Sequence, residues 1–309
     1  MKKYFTILFI LIIAQRVSAQ KTDTIKKNIS VDSLMNAMST ANHSEQVIGT
    51  FKASRLILSQ TTETVKKNNL NFLIIHRFGD FSGTYGGGQS LGGLDAVADV
   101  YFDFEYGLND NLNINFGRST IGGLLDLGLK YTFIHQTTND VIPLSIAVAG
   151  ETGVRPYGSF NSFDGRLSNL VKIIAARKFS SGFSLLISSI FLRNNSPLLT
   201  INGNNEQQFL SVGVATRFKI TKHMGFIIDY AHPFTSTKQT SSFSLYDPLG
   251  FGIEIETGGH VFTLNITNSR AINDFNYLSN TTSDYGKGQY RIGFTISRMF
   301  DFNHSKTNY

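Results

Sequence analysis

Three carboxylates, Asp99, Asp103 and Glu105, fall at even spacing within Asp99-Val100-Tyr101-Phe102-Asp103-Phe104-Glu105. In an extended chain, even spacing puts side chains on one face. Glu254 and Glu256 repeat the arrangement. Carboxylates gathered this way could bind a cation or a substrate. Following the same parity along the chain, Asp126 and Asp229 join that face, and so do Arg77, Lys130, Lys172, Lys178, Arg217 and Arg291. Acids and bases nearly balance. This favours a neutralised structural network over a strongly ion-selective site.

Other chemistries find less support. Gly83–Gly93 is glycine-rich, but it lacks the Gly-Lys-Ser/Thr ending of a phosphate cradle, and no helical pattern follows. It reads as a mobile outer loop. His76, His135, His223, His232 and His260 are scattered, with no H-x-x-x-H or H-x-H pair to bind a metal. The chain has no cysteine, which excludes disulfides and thiol chemistry. A lipid-facing hydrolase could use outward His76 with outward Ser189, yet no third residue orients them. The sequence assigns no catalytic residue, cofactor or metal.

The segments that carry these residues share one pattern. Val100, Phe102, Phe104 and Tyr106 alternate with Asp99, Tyr101, Asp103 and Glu105; after Gly107–Asp110, Leu112, Ile114 and Phe116 alternate with Asn111, Asn113 and Asn115. Twelve such segments are predicted, at 69–78, 97–107, 111–119, 124–136, 142–153, 168–179, 183–193, 207–219, 223–232, 249–257, 260–268 and 288–302. Short and long connections alternate between them, with Thr120–Gly123 the one short link on the long side. An up-and-down membrane barrel produces that alternation, and a soluble sandwich has no reason to. Leu70, Phe72, Ile74, Leu125, Leu127, Leu129, Phe183, Leu185, Ile187, Phe226, Ile228, Phe262, Leu264, Ile266, Ile292, Phe294 and Ile296 fall on the lipid face. The charges sharing their parity, Arg118, Arg177 and Arg298, sit at strand ends, where an outward charge costs little. The interior is expected to be polar. With large inward residues such as Tyr101, Arg77 and Arg217, it should be narrow or obstructed.

The ends of the chain read differently. Lys2 and Lys3, the apolar run Tyr4–Ile13 and Val17-Ser18-Ala19 make residues 1–19 a secretory signal peptide. The formal net charge of +6 includes three leader charges, Lys2, Lys3 and Arg16, so the mature chain carries +3. No Lys/Arg stripe remains to bind nucleic acid. Residues 20–67 form an N-terminal extension with a short helix around Val31, Leu34, Met35 and Met38 and an extended segment at Phe51–Ser59. It is expected in the periplasm or as a plug against the barrel mouth. The barrel proper spans 68–302, ending on outward Phe300 and Phe302, and residues 303–309 form a tail. An aromatic-ended last strand is similar to the signal read by the barrel assembly machinery.

Thr50-Phe51-Lys52-Ala53-Ser54-Arg55-Leu56-Ile57, Leu70-Asn71-Phe72-Leu73-Ile74-Ile75-His76-Arg77-Phe78-Gly79-Asp80, Gly93-Leu94-Asp95 and Phe104-Glu105-Tyr106-Gly107-Leu108-Asn109-Asp110 carry a family resemblance. The chain resembles, from about residue 49, an uncharacterised family of bacterial outer-membrane β-barrels known as a domain of unknown function. The resemblance implies a barrel in the outer membrane and transfers no activity. The expected molecule is an all-β, antiparallel, up-and-down twelve-stranded barrel, monomeric and surrounded by outer-membrane lipid. Three roles follow: passage of a small solute, docking of a partner through the loops or extension, and, weakest, lipid modification.

Overall fold

The computed structural model describes residues 45–82, 86–195, 207–235 and 244–302. Twelve strands cross in sequence order: β1 (Asn69–Asp80), β2 (Asp99–Asn109), β3 (Leu112–Ser119), β4 (Leu125–Ile134), β5 (Ser145–Val154), β6 (Leu167–Ser180), β7 (Phe183–Asn194), β8 (Gln207–Lys219), β9 (Met224–Pro233), β10 (Leu249–Thr257), β11 (His260–Thr267) and β12 (Arg291–Asp301). Each pairs antiparallel with its neighbours, and β12 returns to β1 from Asn69↔Asp301 to Arg77↔Gly293, closing the ring. In lipid an open edge would leave peptide groups without partners, so closure is a requirement of the environment. All twelve predicted segments are strands, with ends moved by a few residues. The leader, the helix expected around Val31–Met38 and the tail 303–309 lie outside the described residues.

Alternation sorts the faces as the sequence predicts. Phe72 is level with Phe104, Phe104 with Phe116 and Phe116 with Leu127, making a continuous outward apolar row. Phe104 is 41% exposed and stacks on Phe72 at 4.7 Å between ring centroids. One row inward, Leu73, Asp103, Gly117 and Asp126 are level and lie inside. Gly117 is needed there, because a Cβ would overlap the Tyr101 hydroxyl and the Asp126 carboxylate.

Three expectations about the interior are corrected. Phe51–Ser59 is not an extended segment. It bends through the lumen, and Arg55 bridges Gln60 to fold it back on itself. The long connection after β11 does not stay outside, because all of residues 268–279 but the half-buried Arg270 are buried and carry a short helix, α1 (Asp274–Ser279). Nor is the inner wall polar throughout. On β6 to β9, Leu170, Ile174, Leu186, Ile190, Leu192, Phe209 and Ile227 point inward and pack with Leu56, Ile57, Leu58, Phe275 and Leu278. A wall between lipid and packed protein is dry on both faces, so it reads as runs such as Leu185-Leu186-Ile187 and Ile190-Phe191-Leu192.

Arginine in place of Phe104 should lower membrane stability by about 2–4 kcal/mol, whereas Asp103→Asn should be tolerated. Urea titration of vesicle-refolded protein checks this, and equal losses would mean that the two faces are misassigned.

Candidate functional site

The obstruction of the lumen is built from two chain segments. The first, here the plug, enters at the short-turn end, where Val47 N–H donates to the Gln136 carbonyl at 2.7 Å. It climbs to Leu58 and descends to Lys67, its legs tied by Thr61 N–H to the Ser54 carbonyl and Leu56 N–H to the Ser59 carbonyl, both at 2.8 Å. At its tip Ile57 packs against Gly250 and Gly252 of β10, where a Cβ on Gly250 would overlap Ile57. The second is the β11–β12 connection, folding in from the long-loop end. Asn273 caps α1 by accepting from Asn276 N–H at 3.0 Å.

Irregular backbone inside a barrel must find hydrogen-bond partners on the wall. Asp229 accepts from Leu58 N–H, Ser59 N–H and the Ser59 hydroxyl at 2.7–2.8 Å. Asp99 accepts from Ile272 N–H at 3.1 Å, and from Ser119, Thr120 and the Ile121 N–H through its other oxygen. Arg77 donates to the carbonyl of Ile57 on the plug and to that of Ala271 on the inserted connection. One wall arginine therefore ties both segments together. Arg291 donates to the Asn268 carbonyl at 2.8 Å and pairs with Asp80 at 3.0 Å.

The two segments also meet directly. Arg55 of the plug pairs with Asp274 of α1 at 3.2 Å, and Lys172 of β6 pairs with Asp274 at 3.0 Å and with Glu151 of β5 at 3.3 Å. Gln60 donates to the same Glu151 oxygen at 2.6 Å, and Tyr277 to Asp274 at 3.1 Å. Burial pushes the Asp274 carboxyl up, but Lys172 and Arg55 outweigh it and hold the group below its ordinary range. Burial likewise works against the Arg55 charge, and Asp274 together with Tyr101, Asp103 and Glu151 more than restores it.

The remaining residues of the sequence-predicted network are dispersed along the interior. Arg217 and Glu254 pair at 2.6 Å, while Glu256 pairs with Lys52 at 2.9 Å near the short-turn mouth. Glu105 accepts from Asn71 at 2.8 Å and Asp126 from Tyr101 at 2.7 Å. The Asp103 carboxylate and the Lys130 ammonium are buried without a hydrogen-bond partner among the described residues. Arg217 is thus paired with an acid of that set, whereas Arg77 donates to carbonyls, and Asp99 and Asp229 accept from peptide N–H and hydroxyl groups. Sequence reading missed Arg55, Glu151 and Asp274. Glu151 carried a usable signal, since it shares inward parity with Ala147, Ala149 and Gly153.

The weaker candidates separate in space. His76 lies on β1, stacked on Phe294 at 5.2 Å, and Ser189 lies on β7, half-way round the ring. Gly87–Ser90 forms a 3-10 turn. His232 meets Asp247 at 2.7 Å and Tyr230 donates to the same carboxylate, a contact the sequence did not reveal. Among the described residues no three His, Cys, Asp or Glu side chains are placed to hold a metal.

Residues 51–300 match the family model described as a membrane bound beta barrel domain (DUF5777). The chain belongs to this family. The match begins at Phe51, so the family unit includes the plug as well as the strands. No curated protein matches the sequence. Among solved structures, the NanC porin is similar at 6% identity over 74% of this chain and 98% of that one, with a TM-score of 0.47. An outer membrane channel from Pseudomonas putida F1 gives 10% identity over 77% and 98%, also at 0.47. LpxR from Salmonella typhimurium gives 11% over 75% and 100%, at 0.36.

Replacing Arg77 by Met should cost about 1–3 kcal/mol for each carbonyl left without a donor. The loss should appear as faster hydrogen exchange in residues 50–66 and 271–279 while the strands stay protected. A depressed aspartate pKa adds stability that is present above the unfolded value and is lost as pH falls through the folded one. Exchange protection of α1 should therefore survive acidification through the ordinary aspartate range, and Lys172→Met should raise the pH at which it is lost.

Proposed function

We propose that the protein is an outer-membrane barrel, exported by a cleaved leader, that passes a small polar solute along a path closed at rest by the plug and the inserted connection. The observation that carries this reading is the two-sided interior. A lumen that only had to be filled would be most stable if lined all round with apolar side chains. Here the apolar lining lies mainly on β6 to β9, where Lys172, Arg217 and Asp229 interrupt it, whereas β1 to β4 present Asn71, Asp103, Glu105, Asn113, Asn115, Asp126 and Lys130 beside Leu73, Ile75 and Tyr101. Asp103, Lys130 and the side-chain amide nitrogens of Asn113 and Asn115 face inward without hydrogen-bond partners among the described residues. Such a wall gains more from water and a hydrated solute than from a dry plug. The blocking groups belong to chain segments that can move, while the ring of strands stays closed.

A second reading, docking of a partner on the long-loop end, draws on Leu91, Leu94 and Val97, exposed apolar side chains in the β1–β2 connection. Retention of one partner on pull-down from membranes, lost when all three become Ser, would favour docking. In either case the protein works as a monomer delivered by the barrel assembly machinery.

The absence of native cysteine allows a clean test of gating. Asn71 donates to the Ser54 hydroxyl at 3.2 Å, so Ser54→Cys with Asn71→Cys places a thiol on the plug against one on the wall. In planar bilayers, replacing both Phe51–Val65 and Ala271–Thr281 by short Gly/Ser linkers should give discrete conductance steps. The oxidised double-cysteine protein should be silent, and reduction should restore wild-type behaviour. Silence of the linker variant, once shown to be folded and inserted, would remove the pore reading.

A further inference from the structure

At the short-turn end a pocket of about 460 Å³ opens between the first residues of the plug and the ends of β6 to β10. That size lies within the roughly 300–1,000 Å³ of small-molecule sites. Lys52, Lys178, Arg217, Lys219 and Lys222 line it, against the single carboxylate Glu256. Arg217 is committed to Glu254 and Lys52 to Glu256. Lys178 donates to a neutral acceptor, the Ile48 carbonyl, at 3.1 Å. Among the described residues, Lys178, Lys219 and Lys222 have no carboxylate within ion-pair distance. Three uncompensated cations in one concavity concentrate a positive field, which an anion relieves and a cation or neutral solute does not.

We propose that this pocket binds a small soluble anion with two or more negative charges, a polycarboxylate or a phosphorylated small molecule, held by Lys178, Lys219 and Lys222. The phosphate of a lipid headgroup shares that chemistry. The lining favours a free solute, because Ser184 and Arg217 are inward-facing wall residues and residues 48–50 belong to the plug. The site also touches the plug's own attachments. Lys178 holds the Ile48 carbonyl and Lys52 holds Glu256, so an anion that draws off both cations loosens the first residues of the plug. The proposal deepens the gated-path reading and rests on it for the link between binding and opening, while the binding itself can be read separately.

The test is calorimetry on the full-length protein in dodecyl maltoside, with citrate and then inorganic phosphate as probes. Citrate should bind saturably, and added salt should weaken it. Lys178→Ala and Lys219→Ala should each weaken it about tenfold, the loss of one charge-assisted contact, while the corresponding Arg variants retain it. Lys287→Ala, at the other end of the barrel, serves as the control and should leave binding unchanged. Absence of saturable binding in folded protein, or equal loss in the Lys287 variant, would overturn the proposal. So would lysine-dependent binding confined to phosphatidylglycerol nanodiscs, which would assign the cations to lipid. Citrate binding by a protein that stays silent in bilayers, even with the plug removed, would keep the site and discard the pore.

Discussion

Unpaired peptide groups inside a closed ring set the terms for the rest of this structure. The strands satisfy their own backbone, but the plug and the inserted connection bring two stretches of irregular chain into a space with no sheet edge to pair with. The wall answers with side chains of matching polarity. Asp229 takes two plug N–H groups, Asp99 takes the Ile272 N–H, and Asn113 takes the Val65 N–H. Arg77 and Arg291 supply donors to carbonyls of Ile57, Ala271 and Asn268, and the Thr132 hydroxyl supplies the Thr62 carbonyl. The inner charges that the sequence displays so clearly serve largely as substitutes for a missing ladder. This explains why they are spread along the lumen instead of gathered at one spot.

The strand pattern was legible because lipid and lumen differ so sharply in polarity. Phe102, Phe104 and Phe116 could only face outward, and Asp103 and Glu105 only inward, so parity fixed the pairing faces before any contact was known. Depth was legible too, since Arg118, Arg177 and Arg298 stand at strand ends. The path of residues 51–67 was not. Inside the barrel every side chain of Phe51–Thr62 but Lys52 is buried, so the alternation that marks a half-exposed segment has nothing to report. The fold of this stretch is decided by contacts over a hundred residues away in sequence, such as Arg55 with Asp274.

The inserted connection shows the same limit from the other side. Ala271-Ile272-Asn273-Asp274-Phe275-Asn276-Tyr277-Leu278 mixes polar and apolar residues without a long period, and α1 is only six residues. A helix this short is unstable on its own and exists because Phe275, Tyr277 and Leu278 are packed and Asp274 is paired. Its acid could be recognised as an interior group only once its partners, Lys172 and Arg55, were known to converge.

The interior thus divides into a mainly apolar side and a mainly polar side. Against β6 to β9 the plug buries Leu56, Ile57 and Leu58, and that apolar contact has no alternative partner of equal quality. Against β1 to β4 it meets polar groups: Arg77, Asn71, Asn113 and Thr132 hydrogen-bond it, while among the described residues Asp103 and Lys130 have no partner. Arg77 donates to both inserted segments, so the same side chain that completes their backbone hydrogen bonding also couples the plug to the connection.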